Sequence, residues 1–92
     1  MKAEIIWRYR RGDADEIVGS IQQADFNTWA QMRKYVESQV PKCREPKPGL
    51  ELDYVTIDQL GDFADDDGCP SDRRLIATYE DGPELWTWAK GV

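Results

Sequence analysis

Only one stretch of this chain repeats its apolar residues at helical spacing. Phe26, Trp29, Ala30, Met32, Val36 and Val40 recur near a period of 3.6, while Gln31, Lys34, Glu37 and Ser38 fill the outward arc. The other regular patterns alternate. A single amphipathic helix has no second helix to cover, so its apolar stripe must close on a sheet. Asp25 is expected to cap the helix by accepting from the first-turn amides. Pro41 is expected to end it at or before Val40.

The alternating segments supply that sheet. In residues 3–10, Ala3, Ile5, Trp7 and Tyr9 fall on one face and Glu4, Ile6, Arg8 and Arg10 on the other, as in a half-buried strand. Arg11-Gly12-Asp13 supplies turn chemistry, and residues 15–22, with Ile17, Gly19 and Ile21 on one side, complete an antiparallel hairpin. Residues 41–49 hold three Pro and read as a non-regular connection. Leu50, Leu52, Tyr54 and Thr56 then alternate with Glu51, Asp53, Val55 and Ile57 in a third strand. Residues 61–72 read as an acidic loop. Residues 73–80 and 84–90 form the last two strands, with Leu75, Ala77 and Tyr79 on one face, Trp86 and Trp88 on another, and a turn at Asp81-Gly82-Pro83. The expected fold is α+β: a β-β-α-β-β-β order, an antiparallel sheet of four to five strands, and one amphipathic helix on one of its faces, all in a single domain over residues 1–92.

Composition narrows the function classes. The 92 residues are 40% hydrophobic and 33% charged and include four Trp, a balance that argues against disorder. The longest apolar runs, Ile5-Ile6-Trp7 and Leu75-Ile76-Ala77, are far short of the ~20 residues of a membrane span. The start, Met1-Lys2-Ala3-Glu4, has no apolar stretch of a secretory signal, so the chain reads as cytoplasmic. Cys43 and Cys69 are too far apart for a CxxC pair. In that compartment they read as two free thiols, with a disulfide between loops as the minority reading.

There is no His in the chain, which removes every Ser-His-Asp, Cys-His and His-metal mechanism. Lys42 and Arg44 flank Cys43 and favour its thiolate, but no His stands by as base. Asp65-Asp66-Asp67-Gly68 fails as a calcium loop: with Gly68 sixth, Phe63 is first and Arg74 twelfth, and both are wrong ligands. Asp53 and Asp58 fall on opposite faces of a regular strand. The glycines show neither P-loop nor dinucleotide spacing. The chain reads as a non-enzyme with no cofactor and no metal.

Charge is what remains. The net charge is −6, yet residues 1–50 hold nine basic and seven acidic side chains, and residues 51–92 hold three and eleven. An acidic field repels nucleic acid and attracts the basic surfaces that hold it. Asp62, Asp65, Asp66, Asp67 and Asp72 offer carboxylates at spacings that can imitate backbone phosphates. Arg8, Arg10 and Arg11, with Arg33 and Lys34 on the helix, supply a second contact. The first reading is therefore a binding inhibitor that occupies a basic site on a protein or ribonucleoprotein partner. The alternative is a nucleic-acid-binding module built on Arg8, Arg10, Arg11, Arg33, Lys34, Lys42, Arg44 and Lys47. The plainer reading of the first-strand arginines is pairing with Asp13, Asp15 or Glu16 across the hairpin. A structural or assembly subunit, monomeric or dimerising through an open sheet edge, is a third reading. Trp29, Trp86 and Trp88 read as core; if exposed, Trp86 and Trp88 become a binding anchor.

The strand Glu16-Ile17-Val18-Gly19-Ser20-Ile21 running into Asp25-Phe26-Asn27-Thr28-Trp29-Ala30, and the closing hairpin from Leu75 to Trp88, resemble the small phage-encoded anti-CRISPR proteins directed at type I surveillance complexes. The likeness is in size, acidity and one-helix-on-a-sheet pattern over the whole chain, and that group shares no diagnostic motif. It implies a non-catalytic blocker in the host cytoplasm that docks on a ribonucleoprotein complex and obstructs target DNA binding.

Overall fold

The structure, a computed structural model, describes residues 1–12, 17–45, 48–64, 68–80 and 84–89. Five strands and one helix follow the expected order: β1 (Lys2–Arg11), β2 (Ile17–Asp25), α1 (Trp29–Cys43), β3 (Leu50–Ala64), β4 (Pro70–Glu80) and β5 (Trp86–Trp88). All pairings are antiparallel, in the spatial order β2-β1-β3-β4-β5. The fold is thus the α+β arrangement that the patterning requires. No helix is long and apolar enough to cross a membrane among the described residues.

The helix packs on one face only. Met32, Val36 and Val40 meet Ala3, Ile5, Trp7, Tyr9, Val55, Ile57, Ile76, Ala77, Tyr79 and Trp86 in one buried cluster. Polar ties at both sides set the helix across the sheet. The Gln22 amide of β2 donates to the Tyr35 hydroxyl, and its oxygen accepts from Trp7 Nε1 at 3.4 Å. On the far side, Trp86 Nε1 of β5 donates to Glu37 Oε1 at 2.9 Å.

Four local expectations are corrected. The N-cap is Thr28, whose Oγ1 accepts from the Gln31 amide at 3.2 Å, and not Asp25. Asp25 is still in the ladder opposite Lys2, and Phe26 continues it by donating to the Met1 carbonyl. The sequence carries the cap signal as Thr28-Trp29-Ala30-Gln31, a capping-box spacing. Pro41 does not end the helix, which runs to Cys43. Proline removes one bond to the preceding turn, and at exposed Pro41 water can take the place of that donor.

The other two corrections lie in the β3–β4 pair. Leu75 does not share a face with Ala77 and Tyr79. The β3–β4 register passes from Ile57↔Ala77 to Asp58↔Leu75, so Ile76 is the extra residue; Ile76 and Ala77 are both buried, while Leu75 turns outward. Residues 61–72 are not simply a loop. β3 continues to Ala64 and β4 starts at Pro70, with a second bulge between Leu60 and Phe63.

Candidate functional site

That extension makes the most prominent feature of the molecule. β1 pairs with β3 only as far as Ala3↔Gln59, and β5 pairs with β4 only over Ala77–Tyr79. Leu60–Ala64 and Pro70–Arg73 therefore pair with each other alone. They form a two-stranded arm that outruns the rest of the sheet. Asp62 and Asp72 are exposed on it, Asp72 with 83% of its side chain accessible. Asp65, Asp66 and Asp67 belong to the same segment of sequence but lie outside the described residues.

The arm is braced at its root, and the bracing uses its arginines. Arg73 Nη1 sits 2.6 Å from Glu4 Oε1. Among the described residues Glu4 is the one charged residue that is buried, and its other carboxylate oxygen accepts from Gln23 Nε2 at 3.4 Å. On the other side, Arg74 donates to Gln59 Oε1 from Nε at 3.2 Å and from Nη2 at 3.0 Å, and lies 4.8 Å over the Phe63 ring. Arg73 is thus directed to the body of the protein, while Arg74 lies along the arm between Gln59 and Phe63. Asp72 also receives Arg73 Nε at 3.4 Å.

The sheet face opposite the helix carries a second polar group. Glu4 of β1 lies opposite Asp58 of β3, and Arg8 opposite Tyr54. Arg8 Nε donates to Thr56 Oγ1 at 3.3 Å, with the guanidinium 5.5 Å from the Tyr54 ring centre. Burial pushes the Asp58 carboxyl above its ordinary range; Arg73 pulls it down, Glu4 pushes it up, and Arg8 pulls it down. Arg10 Nη2 meets Asp53 Oδ2 at 3.3 Å. Asp53 is the extra residue where the register passes from Arg8↔Tyr54 to Tyr9↔Leu52. The bulge thus gives Asp53 to the face that Arg10 shares with Glu4 and Arg8, so the separation expected of Asp53 and Asp58 in a regular strand is lost. The proposed pairings to Asp13, Asp15 or Glu16 fall outside the described residues, as does Lys47.

The expected cationic set is divided by the sheet. Arg8 and Arg10 lie on the uncovered face, and Arg11 is exposed at the end of β1. Arg33 and Lys34 are exposed on α1, on the other side of the sheet. Arg33 is further engaged: its Nε meets Glu37 Oε1 at 3.0 Å, and it lies 5.9 Å from the Trp86 ring. Trp7 and Tyr9 are buried, as expected. Trp86 is buried too, and Trp88, half-buried, stacks on it at 5.4 Å. With Trp29, Ala30 and Arg33, Trp88 lines an open groove of about 370 Å³ beside the helix. Cys43 and Cys69 form no disulfide.

Sequence reasoning assigns no role to Glu4 or Arg73 and considers Asp58 only as a partner for Asp53. Alternation places Glu4 and Arg8 on one face, but the meeting of Glu4 with Arg73 spans 69 positions and depends on strand order. Set against protein-family models, curated proteins and solved structures, the chain matches none.

Proposed function

We propose that this protein is a non-catalytic inhibitor that lays its acidic β3–β4 arm into a basic, nucleic-acid-holding groove of a partner protein or ribonucleoprotein complex. The anti-CRISPR resemblance implies a non-catalytic blocker docked on a ribonucleoprotein complex; the acidic arm supplies the contact. One observation carries the reading: the arm outruns its neighbouring strands, with Asp62 and Asp72 exposed and Arg73 turned to Glu4 in the body. A free-standing acidic hairpin reaches into a groove that a flat acidic surface only covers. Complementary charge speeds the encounter and sets the register of docking. The alternative of a nucleic-acid-binding module loses ground, because its cations stand on opposite sides of the sheet and no single strand tracks both.

The test is competition. Affinity capture from a nuclease-treated bacterial lysate is expected to recover a nucleic-acid-handling complex that a short oligonucleotide then displaces, since both occupy one basic surface. Charge reversal by Asp62→Lys with Asp72→Lys is expected to weaken capture at least about tenfold. A captured complex that holds the oligonucleotide and this protein together, with both reversals silent, overturns the proposal.

A further inference from the structure

The two edges of the sheet are unlike. One ends in β5, only three residues long. The other is β2, nine residues paired to β1 without interruption from Lys2↔Asp25 to Arg10↔Ile17. The β1–β3 and β3–β4 ladders both contain bulges, and the β1–β2 ladder has none. Among the described residues, no strand lies beyond β2. Proteins blunt such edges with charges, Pro, bulges or short strands. Ile17-Val18-Gly19-Ser20-Ile21-Gln22-Gln23-Ala24 has none of these, and it is the longest uncharged run in a chain that is 33% charged.

We propose that β2 is the site at which two copies of this chain join: the β2 strands pair antiparallel about a two-fold axis at Ile21, making one continuous sheet of two five-stranded halves. Three observations favour a second copy as the occupant. The first is charge. Two molecules of net charge −6 repel at most approaches, and β2 is where they meet with the fewest charges between them. The second is self-complementarity. Full overlap of Ile17–Asp25 with itself centres on Ile21, so Gly19 faces Gln23 of the second copy and each Ile21 faces the other, an isologous contact. Among the described residues Ile21 is the most exposed large apolar side chain, at 66%, and its neighbour across β1 is Ile6. Pairing thus assembles a row of four isoleucines on the uncovered face. The third is the strand's one charge. In this register Asp25 lies opposite Ile17 of the second copy, one strand from that copy's Arg10.

Sedimentation of the full chain over the micromolar range tests this directly. The expected species has twice the 10.6 kDa chain mass. Ile21→Lys sets two ammonium groups side by side at the axis and is expected to raise the dissociation constant at least about tenfold. Leu75→Lys, at an apolar side chain 51% exposed on β4, is expected to leave the dimer intact. A chemical readout accompanies it. Residues facing each other across an antiparallel pair lie within disulfide reach. With Cys43→Ser and Cys69→Ser in place, Ile21→Cys is expected to oxidise to a linked dimer and Leu75→Cys to stay monomeric. A chain that remains monomeric throughout, or a dimer that Ile21→Lys leaves unchanged, overturns the proposal. Neither result bears on the acidic arm, which lies in β3 and β4.

Discussion

The same strands build two faces of opposite character. Towards α1, Ile5, Val55 and Ile57 are fully buried among Met32, Val36 and Ile76. Away from it, Glu4, Arg8, Thr56, Asp58 and Arg73 form a polar array with Ile6 and Ile21 beside it. The covered face owes its stability to apolar area removed from water, at roughly 25 cal/mol per Å². The uncovered face owes its order to directional bonds whose net worth is near 1 kcal/mol each, because water competes for the same groups. The two faces therefore do different jobs. One holds the fold, and the other fixes where the arm stands.

Substitutions should separate the faces cleanly. The largest effect is expected from Ile57→Ala, which opens a cavity under the helix and should cost about 3–4 kcal/mol in urea denaturation. Its neighbour Thr56, on the other face, loses only the bond from Arg8 on change to Ala, about 1 kcal/mol. A smaller gap between the two would break the contrast.

Next in size is Glu4→Ala. It removes the acceptor of Arg73 and Gln23, and a cost of about 1–2 kcal/mol is expected, since the 45% exposed Arg73 side chain regains water. The informative readout is local: hydrogen exchange in Leu60–Ala64 should quicken more than in β2. Uniform change across both regions would mean that the pair does not brace the arm. Trp86→Phe removes the bond to Glu37 while leaving an aromatic ring against Trp88, for about 1 kcal/mol.

The gentlest test is pH. The folded protein holds the Asp58 carboxyl above its usual 3.8, by burial before any charge effect, so the folded state binds that proton more tightly than the unfolded one. The associated stability is present below 3.8 and is lost as pH rises through the folded value. Asp58→Asn should therefore stabilise the protein at neutral pH and make no difference at pH well below 3.8. Glu37, on the helix side, has the opposite sign. The Arg33 and Trp86 hydrogen bonds hold its carboxyl below the usual 4.5. That contribution is present above 4.5 and lost as pH falls, so Glu37→Gln should cost stability at neutral pH and none in strong acid. Denaturation midpoints measured across both carboxyl ranges give the two signs, and matching signs would refute the assignment.

Most of the elements could be read before the structure, because each expresses its period in its own residues. Ala3, Ile5, Trp7 and Tyr9 face the core as alternation requires, and Met32, Val36 and Val40 do so on the helix. Misreadings arose where a local rule met a competing one. Asp25 has good capping chemistry, but the ladder to Lys2 claims its backbone, and Thr28 caps instead. The face of Leu75 was misjudged because a period of two shifts its phase at a bulge, and the extra Ile76 is seen only once β3 is set beside β4. The acidic segment read as a loop from its composition, yet cross-strand partners extend the hairpin around it.

By itself the amino-acid order decided the class of fold, the split of apolar from polar faces, the uneven charge and the absence of histidine chemistry, because all of these rest on residue identity and short spacing. Strand order, the projecting arm, the meeting of Glu4 with Arg73 and the open edge at β2 were decided only in three dimensions. Contacts between segments tens of residues apart are chosen by how the whole sheet packs under one helix, and no local spacing encodes that choice.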